Sequence, residues 1–140
     1  MPIRYFSEEA DFTLEHPRKT TKWINTVALK EKASVKAINY VFCPDSFLLQ
    51  LNQDFLKHNT FTDIITFDYS SSRKSLEGEI YISLDRIKEN ALKFKSTLDE
   101  ELHRVIIHGI LHLIGYKDKS KAEKLLMRKK EDAYLSLRKK

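Results

Sequence analysis

Between Leu102 and Asp118 the chain reads LHRVIIHGILHLIGYKD, with two histidines, His108 and His112, four residues apart. In a helix that spacing stacks both imidazoles one turn apart on the same face, where they can share one metal ion. Gly115 comes three residues after the second histidine. Glycine tolerates the left-handed conformation that ends a helix and turns the chain back. Asp118 lies three residues further on, where a returning chain can add a carboxylate. The full pattern is His-x-x-x-His-x-x-Gly-x-x-Asp. Zinc takes imidazole nitrogen and carboxylate oxygen, and three protein ligands leave a position for water. His108, His112 and Asp118 are therefore the candidate ligands of one Zn2+ ion per chain, and nickel or another divalent ion suits the same donors. The pair alone has a plainer explanation, two core histidines bonded to backbone or carboxylate. The added Gly115 and Asp118 favour the metal.

The spacing coincides with that of metzincin zinc proteases, H-E-x-x-H-x-x-G-x-x-H. In those enzymes the glutamate after the first histidine is the general base; here that position is Gly109. Zinc itself lowers the pKa of bound water towards about 7. Chemistry that needs a Lewis acid and hydroxide stays open, and phosphodiester hydrolysis is one such reaction. Asp118 in place of histidine adds a charge that weakens the Lewis acidity of the metal. No catalytic group beyond a water on the metal is evident, and His58 and Asp63 are the weak candidates for a general base. His58 sits in the polar loop KHNTFT, where solvation is the simpler fate. His103 precedes His108 by five residues, about 140° around a helix, and cannot share the metal.

The histidines need a helix to carry them. Leu98, Leu102, Val105, Ile106, Ile110, Leu111, Leu113 and Ile114 make this one apolar nearly all round, which places it at the centre of the domain. Thr97 and Glu100 form a capping-box pattern at its start. Elsewhere, strands are predicted over residues 3–6, 35–43, 63–69 and 77–83. Helices are predicted from Pro17 to about Lys32, from Asp45 or Ser46 to about Phe55, over 84–94, and from about Ser120 to Leu137. Pro17 suits a first helical position and Pro44 ends a strand. Trp23 reads as a core anchor, and Ile87, Ala91 and Phe94 as one inward stripe. Gly78 near the start of its strand marks a bulge or a close approach. The strands either side of the serine-rich turn at 70–75 are expected to pair antiparallel. Strands and helices do not alternate regularly, so the class is α+β: a small mixed β-sheet packed with about five helices, the central one carrying the histidines.

At 140 residues this is one domain, spanning 1–140. The single cysteine, Cys43, excludes an internal disulfide and suits a reducing compartment. No signal-peptide pattern and no apolar run of membrane-spanning length stand in the sequence, so the cytoplasm is the default. The formal charge is +5, and its placement matters more than its size. From Lys117 to Lys140 there are ten Lys and Arg against four Asp and Glu; before Lys117 the balance is slightly acidic. A basic surface behind the metal motif attracts polyanions such as RNA, although a solvated lysine-rich helix also explains it. Lys57, Lys119, Lys121 and Arg128 are the candidate phosphate contacts. Phe61 and Tyr116 are candidate stacking platforms for single-stranded RNA, with a structural role the simpler alternative for each.

The segment His108–Asp118, HGILHLIGYKD, resembles the signature of the YbeY rRNA maturation factors, H-G-x-L-H-L-x-G-Y-D-H, with Lys117 and Asp118 as the mismatches. Leu51-Asn52 followed by Thr62–Phe67 (TDIITF) is similar to that family's LN and TDVLSF. Gly78–Ser83 (GEIYIS) is similar to its GDIxIS. The blocks come in the family's order and cover roughly residues 50–120. The resemblance implies a metal-dependent, single-strand-specific endoribonuclease acting in 16S rRNA 3′-end maturation and ribosome quality control. It implies an rRNA precursor as substrate and the small ribosomal subunit as partner. It places the metal at His108, His112 and the third-ligand position, here Asp118. The family's arginine in the loop after LN falls at Leu56, with Lys57 beside it, and lysine lacks arginine's bidentate fork. Two other functions stand beside this one: a metalloprotease, and a non-catalytic ribosome-assembly factor with a structural metal.

Overall fold

The computed structural model describes residues 2–56 and 62–138. In chain order the elements are β1 (Ile3–Ser7), α1 (Pro17–Lys30), β2 (Ser34–Cys43), α2 (Asp45–Leu56), β3 (Ile64–Asp68), β4 (Ser75–Ser83), α3 (Leu84–Lys93), α4 (Leu98–Ile114) and α5 (Lys121–Arg138). The four strands form one mixed sheet in the order β1-β2-β4-β3. β3 and β4 run antiparallel, as their short connection predicts. The two parallel pairings, β1 with β2 and β2 with β4, make the sheet mixed, as expected; the sequence did not say which strands would pair so. Each parallel pair needs a long crossover, and α1 and the α2–β3 segment occupy those crossovers.

Alternation sorts the strands into two faces. Ile38, Tyr40 and Phe42 of β2 and Leu76, Ile80 and Ile82 of β4 are fully buried in one main core with α1, α4 and α5. Each such side chain stabilises the fold by roughly 1.5–3 kcal/mol. The opposite face carries a smaller cluster in which Cys43 and Ile65 meet Leu48 of α2. α4 lies across the main core, and the Tyr40 hydroxyl donates to the Ile106 carbonyl at 2.9 Å. Trp23 is the anchor its setting suggested: it is buried, and its indole N–H donates to the Tyr134 carbonyl at 2.8 Å. That bond ties α1 to α5.

Two glycines let layers approach. A Cβ at Gly78 would lie 2.3 Å from the Phe67 carbonyl oxygen, so close backbone approach is what this position requires. A Cβ at Gly109 would meet Ile80 Cδ1 at 2.8 Å and Ile64 Cδ1 at 3.3 Å, so α4 rests directly on β3 and β4 there.

One expectation is corrected. Phe94 is not part of the inward stripe of α3. It is 51% exposed, because it is the C-cap and lies past the last turn on which the stripe is defined. Lys93 and Arg128 lie over its ring instead. Asp45 opens α2, but its carboxylate reaches across to α3, accepting from Ser83 Oγ at 2.6 Å and pairing with Arg86 at 3.0 Å. Among the described residues no helix is long and apolar enough to cross a membrane.

Candidate metal centre

The site is built from the C-terminal half of α4 outward. Thr97 caps the helix by accepting from the Glu100 N–H at 3.0 Å. At the other end Gly115 adopts φ 127°, and its N–H donates to the His112 and Leu111 carbonyls. Arg73, from the turn between β3 and β4, donates to the Leu113 carbonyl at 2.9 Å and pairs with Asp68 at 2.6 Å. Its positive charge thus lies at the negative end of the helix dipole.

The chain that returns past Gly115 is anchored by Glu31, at the end of α1. The Tyr116 hydroxyl donates to Glu31 Oε1 at 2.6 Å, while the Tyr134 hydroxyl and Lys130, at 3.1 Å, bind its other oxygen. Burial alone would raise the Glu31 pKa; the Tyr116, Tyr134 and Lys130 bonds outweigh it and hold the carboxyl below its ordinary value. Tyr116 is therefore engaged in fixing the loop, the structural role weighed for it.

With the loop so held, Asp118 meets both histidines. Its Oδ2 lies 3.2 Å from His108 Nε2 and 3.3 Å from His112 Nε2. The two rings are 4.5 Å apart at 78°. One ligand atom from each of the three residues falls within 4.8 Å of the others, the only such grouping of three or more histidine, cysteine or carboxylate groups among the described residues. The donor set is two neutral-capable imidazoles and a carboxylate, which suits zinc and its neighbours in the series. The side chains are 18%, 28% and 40% exposed in chain order, so the cluster opens to solvent on the Asp118 side.

The histidines differ electrostatically. Burial pushes the His108 pKa down, but the Glu131 hydrogen bond and charge, with Asp118 and Asp63, overcome it and the net shift is upward. Burial and the charge of His108 both depress His112, and the net shift is downward. Asp63, just before β3, is raised, chiefly by burial; His108 pulls it down while Glu131 and Asp118 push it up. It is thus electrostatically linked to the cluster, and Asn90 Nδ2 approaches its carboxylate at 3.5 Å.

Lys119 and Lys121 are exposed beside Asp118, where the loop enters α5. Arg128 is half-exposed further along, over the Phe94 ring. Lys57, His58 and Phe61 lie outside the described residues. Gly109 is buried against the sheet, so the position of the protease glutamate faces away from the ligand atoms. Sequence reading missed Glu131, Arg104, Glu31 and Arg73, each joined to the site across 23 or more residues of chain.

A mixed sheet backed by a central helix, with a His-His-Asp cluster where that helix ends, is a layout suited to a metal-assisted hydrolase. The sequence model of the family described as Endoribonuclease YbeY matches residues 3–138. Curated relatives carry the same description. That of Cytophaga hutchinsonii is 53% identical over 98% of this chain and 96% of its own. That of Flavobacterium psychrophilum is 50% identical over 94% of each, and that of Bacteroides thetaiotaomicron is 43% identical over 99% of this chain and all of its own. The solution structure of a Thermotoga maritima protein superposes with a TM-score of 0.65 at 27% identity, covering 95% of this chain and 86% of that one. The chain belongs to the YbeY endoribonuclease family.

Proposed function

We propose that this protein is a cytoplasmic, metal-dependent endoribonuclease that cuts single-stranded RNA in 16S rRNA 3′-end maturation and ribosome quality control, working on the small ribosomal subunit. The observation that carries the proposal is the convergence of His108, His112 and Asp118 at a solvent-facing opening, in a chain that the family matches from residue 3 to residue 138.

His108 and His112 would hold one Zn2+ through Nε2, and Asp118 through a carboxylate oxygen. A divalent ion so held supplies Lewis-acid stabilisation of the charge that builds on a phosphodiester during cleavage. The rest is done by the protein. Lys119 and Lys121 neutralise phosphates of the incoming strand next to the opening, and Arg128 extends the basic track along α5. Asp63 is the candidate general base: burial raises its pKa, which strengthens it as a proton acceptor, and it is electrostatically linked to His108. Lys57 and His58, which precede Asp63 in the sequence, are the further candidates for phosphate contact and proton transfer.

The test is cleavage of a single-stranded rRNA 3′-precursor by zinc-loaded protein beside His112→Ala purified identically. Cleavage by the native protein alone supports the proposal. Equal cleavage by both would remove this cluster from the reaction. A chelator that unfolds the protein would favour a structural metal and the assembly-factor function; a folded, inactive protein would favour a catalytic one.

A further inference from the structure

The inward face of α5 buries Met127, Tyr134 and Leu135, as its periodicity requires, and also one carboxylate, Glu131, only 5% exposed. A buried carboxylate must be paired, and the two oxygens of Glu131 are divided between different partners. Oε1 accepts from Arg104 Nη1 at 3.0 Å, and the same guanidinium reaches Asp132 at 2.7 Å. Oε2 accepts from His108 Nδ1 at 2.6 Å.

The second bond decides which nitrogen of His108 is available. An ionised carboxylate can only accept, so in the neutral ring, the form that binds a metal, the proton sits on Nδ1 and the lone pair on Nε2. Nε2 is the atom that faces Asp118, in the cluster it forms with His112. Among the described residues His112 has no such carboxylate behind it; its further bond runs to the backbone of Tyr116. Arg104, with a side chain only 13% exposed, holds Glu131 from behind. The chain Arg104–Glu131–His108 therefore runs from the α4–α5 seam to the opening.

We infer that Glu131 is a positioning residue that fixes the tautomer and ring orientation of His108 for metal binding, with Arg104 holding Glu131 in turn. The inference rests on the proposed metal site. A merely structural Glu131, tying α5 to α4 through Arg104, would use one oxygen and would leave metal affinity alone.

The experiment measures Zn2+ affinity by competition with a chromophoric chelator, the visible spectrum of the Co2+-loaded protein, and thermal unfolding of the metal-free protein. It compares the native chain with Glu131→Gln, Glu131→Ala and Asp132→Ala. Loss of an outer-shell carboxylate of this kind weakens metal binding by about 10–100-fold. That loss is expected for Glu131→Ala, with a smaller one for Glu131→Gln and a shifted Co2+ spectrum in both. Asp132→Ala cuts the same helix tie on its outer side and should leave Zn2+ affinity unchanged. Folded Glu131 variants that bind Zn2+ like the native chain would overturn the inference while leaving the metal site standing. If Glu131→Ala does not fold, Glu131→Gln decides. A native chain that binds neither Zn2+ nor Co2+ would sink the metal site itself, and the inference with it.

Discussion

One helix, α4, carries histidines with two different fates. His103, in its first half, is 2% exposed and both ring nitrogens are occupied by the protein. Nδ1 donates to the Asp99 carbonyl at 2.8 Å, which leaves Nε2 to accept from the Thr20 hydroxyl at 3.1 Å. The Trp23 ring lies 5.8 Å away, centroid to centroid. His108 and His112, in the second half, each turn Nε2 toward an opening and a carboxylate. Residue type and helix are the same; what differs is whether the second nitrogen faces another element or a returning loop. α1 meets the first half of α4 through Thr20 and Trp23, whereas the chain beyond Gly115 brings Asp118 to the second.

The largest expected effects separate the two halves cleanly. His112→Ala should lower RNA cleavage by about 100-fold or more, since a metal's contribution is several kcal/mol and each 1.4 kcal/mol is tenfold. Metal-free His112→Ala should unfold at the native temperature, because its ring is partly exposed. His103→Ala should do the reverse. It removes two buried hydrogen bonds and leaves a cavity beside Trp23, for about 2–4 kcal/mol of lost stability, with Zn2+ affinity of the folded fraction unchanged. Calorimetry and zinc titration on the same two variants measure both halves of the comparison. Loss of zinc binding in His103→Ala would mean that the helix does not insulate its two ends.

The seam between the halves is Gly109. Gly109→Ala forces its methyl against the flexible end of Ile80, 2.8 Å away, at a cost of about 1–3 kcal/mol. The strain falls where α4 rests on β4, so metal affinity should fall with stability. Denaturant unfolding with and without Zn2+ reads both; an undisturbed Gly109→Ala would show that α4 tolerates displacement from the sheet.

A smaller effect belongs to the basic entrance. Lys119→Ala with Lys121→Ala should weaken RNA binding and reduce the dependence of log affinity on log salt by roughly 0.7 for each phosphate that is no longer neutralised. The sealed half offers a control: Lys19→Ala, near His103, should change neither. An unaltered salt slope in the Lys119/Lys121 variant would place the RNA elsewhere.

Most of this architecture was legible because it is local. Prolines at 17 and 44 start α1 and end β2 where they stand. The Gly115 reversal was readable from one residue type at one offset, and it brings Asp118 back to the histidines as the spacing suggested. What could not be read was pairing at long range. The sequence offers Arg73 as part of a serine-rich turn, yet it caps α4. Glu131 sits in the run Arg-Lys-Lys-Glu-Asp, which looks solvated. Only its helical phase with Met127, Tyr134 and Leu135 points inward, and that signal was present. Ser120 and Glu123 likewise form a reciprocal capping box at the start of α5, readable as Ser-x-x-Glu. Phe94 failed for the opposite reason: its phase was right, but the helix ended before its side chain reached the core.

The finest test of the contrast is its pH dependence. Burial depresses the His103 pKa below its ordinary 6.5, the Asp99 carbonyl opposes this, and the positive charges of Arg138 and Lys19 add to it. Above pH 6.5 the ring is neutral in both folded and unfolded chains, and its contribution to stability is complete. As pH falls below 6.5 the unfolded chain takes up the proton first, so stability declines until the folded pKa is reached. The slope from this one group cannot exceed about 1.4 kcal/mol per pH unit. His103→Gln cannot take the proton, and the ligand histidines, present in both chains, cancel in the difference. Unfolding free energies of the native chain and His103→Gln should therefore converge as pH is lowered from about 7.5 to about 5. Curves that stay parallel over that range would mean that His103 is as accessible to protons in the folded protein as in the unfolded one, and the sealed half of α4 would not be sealed.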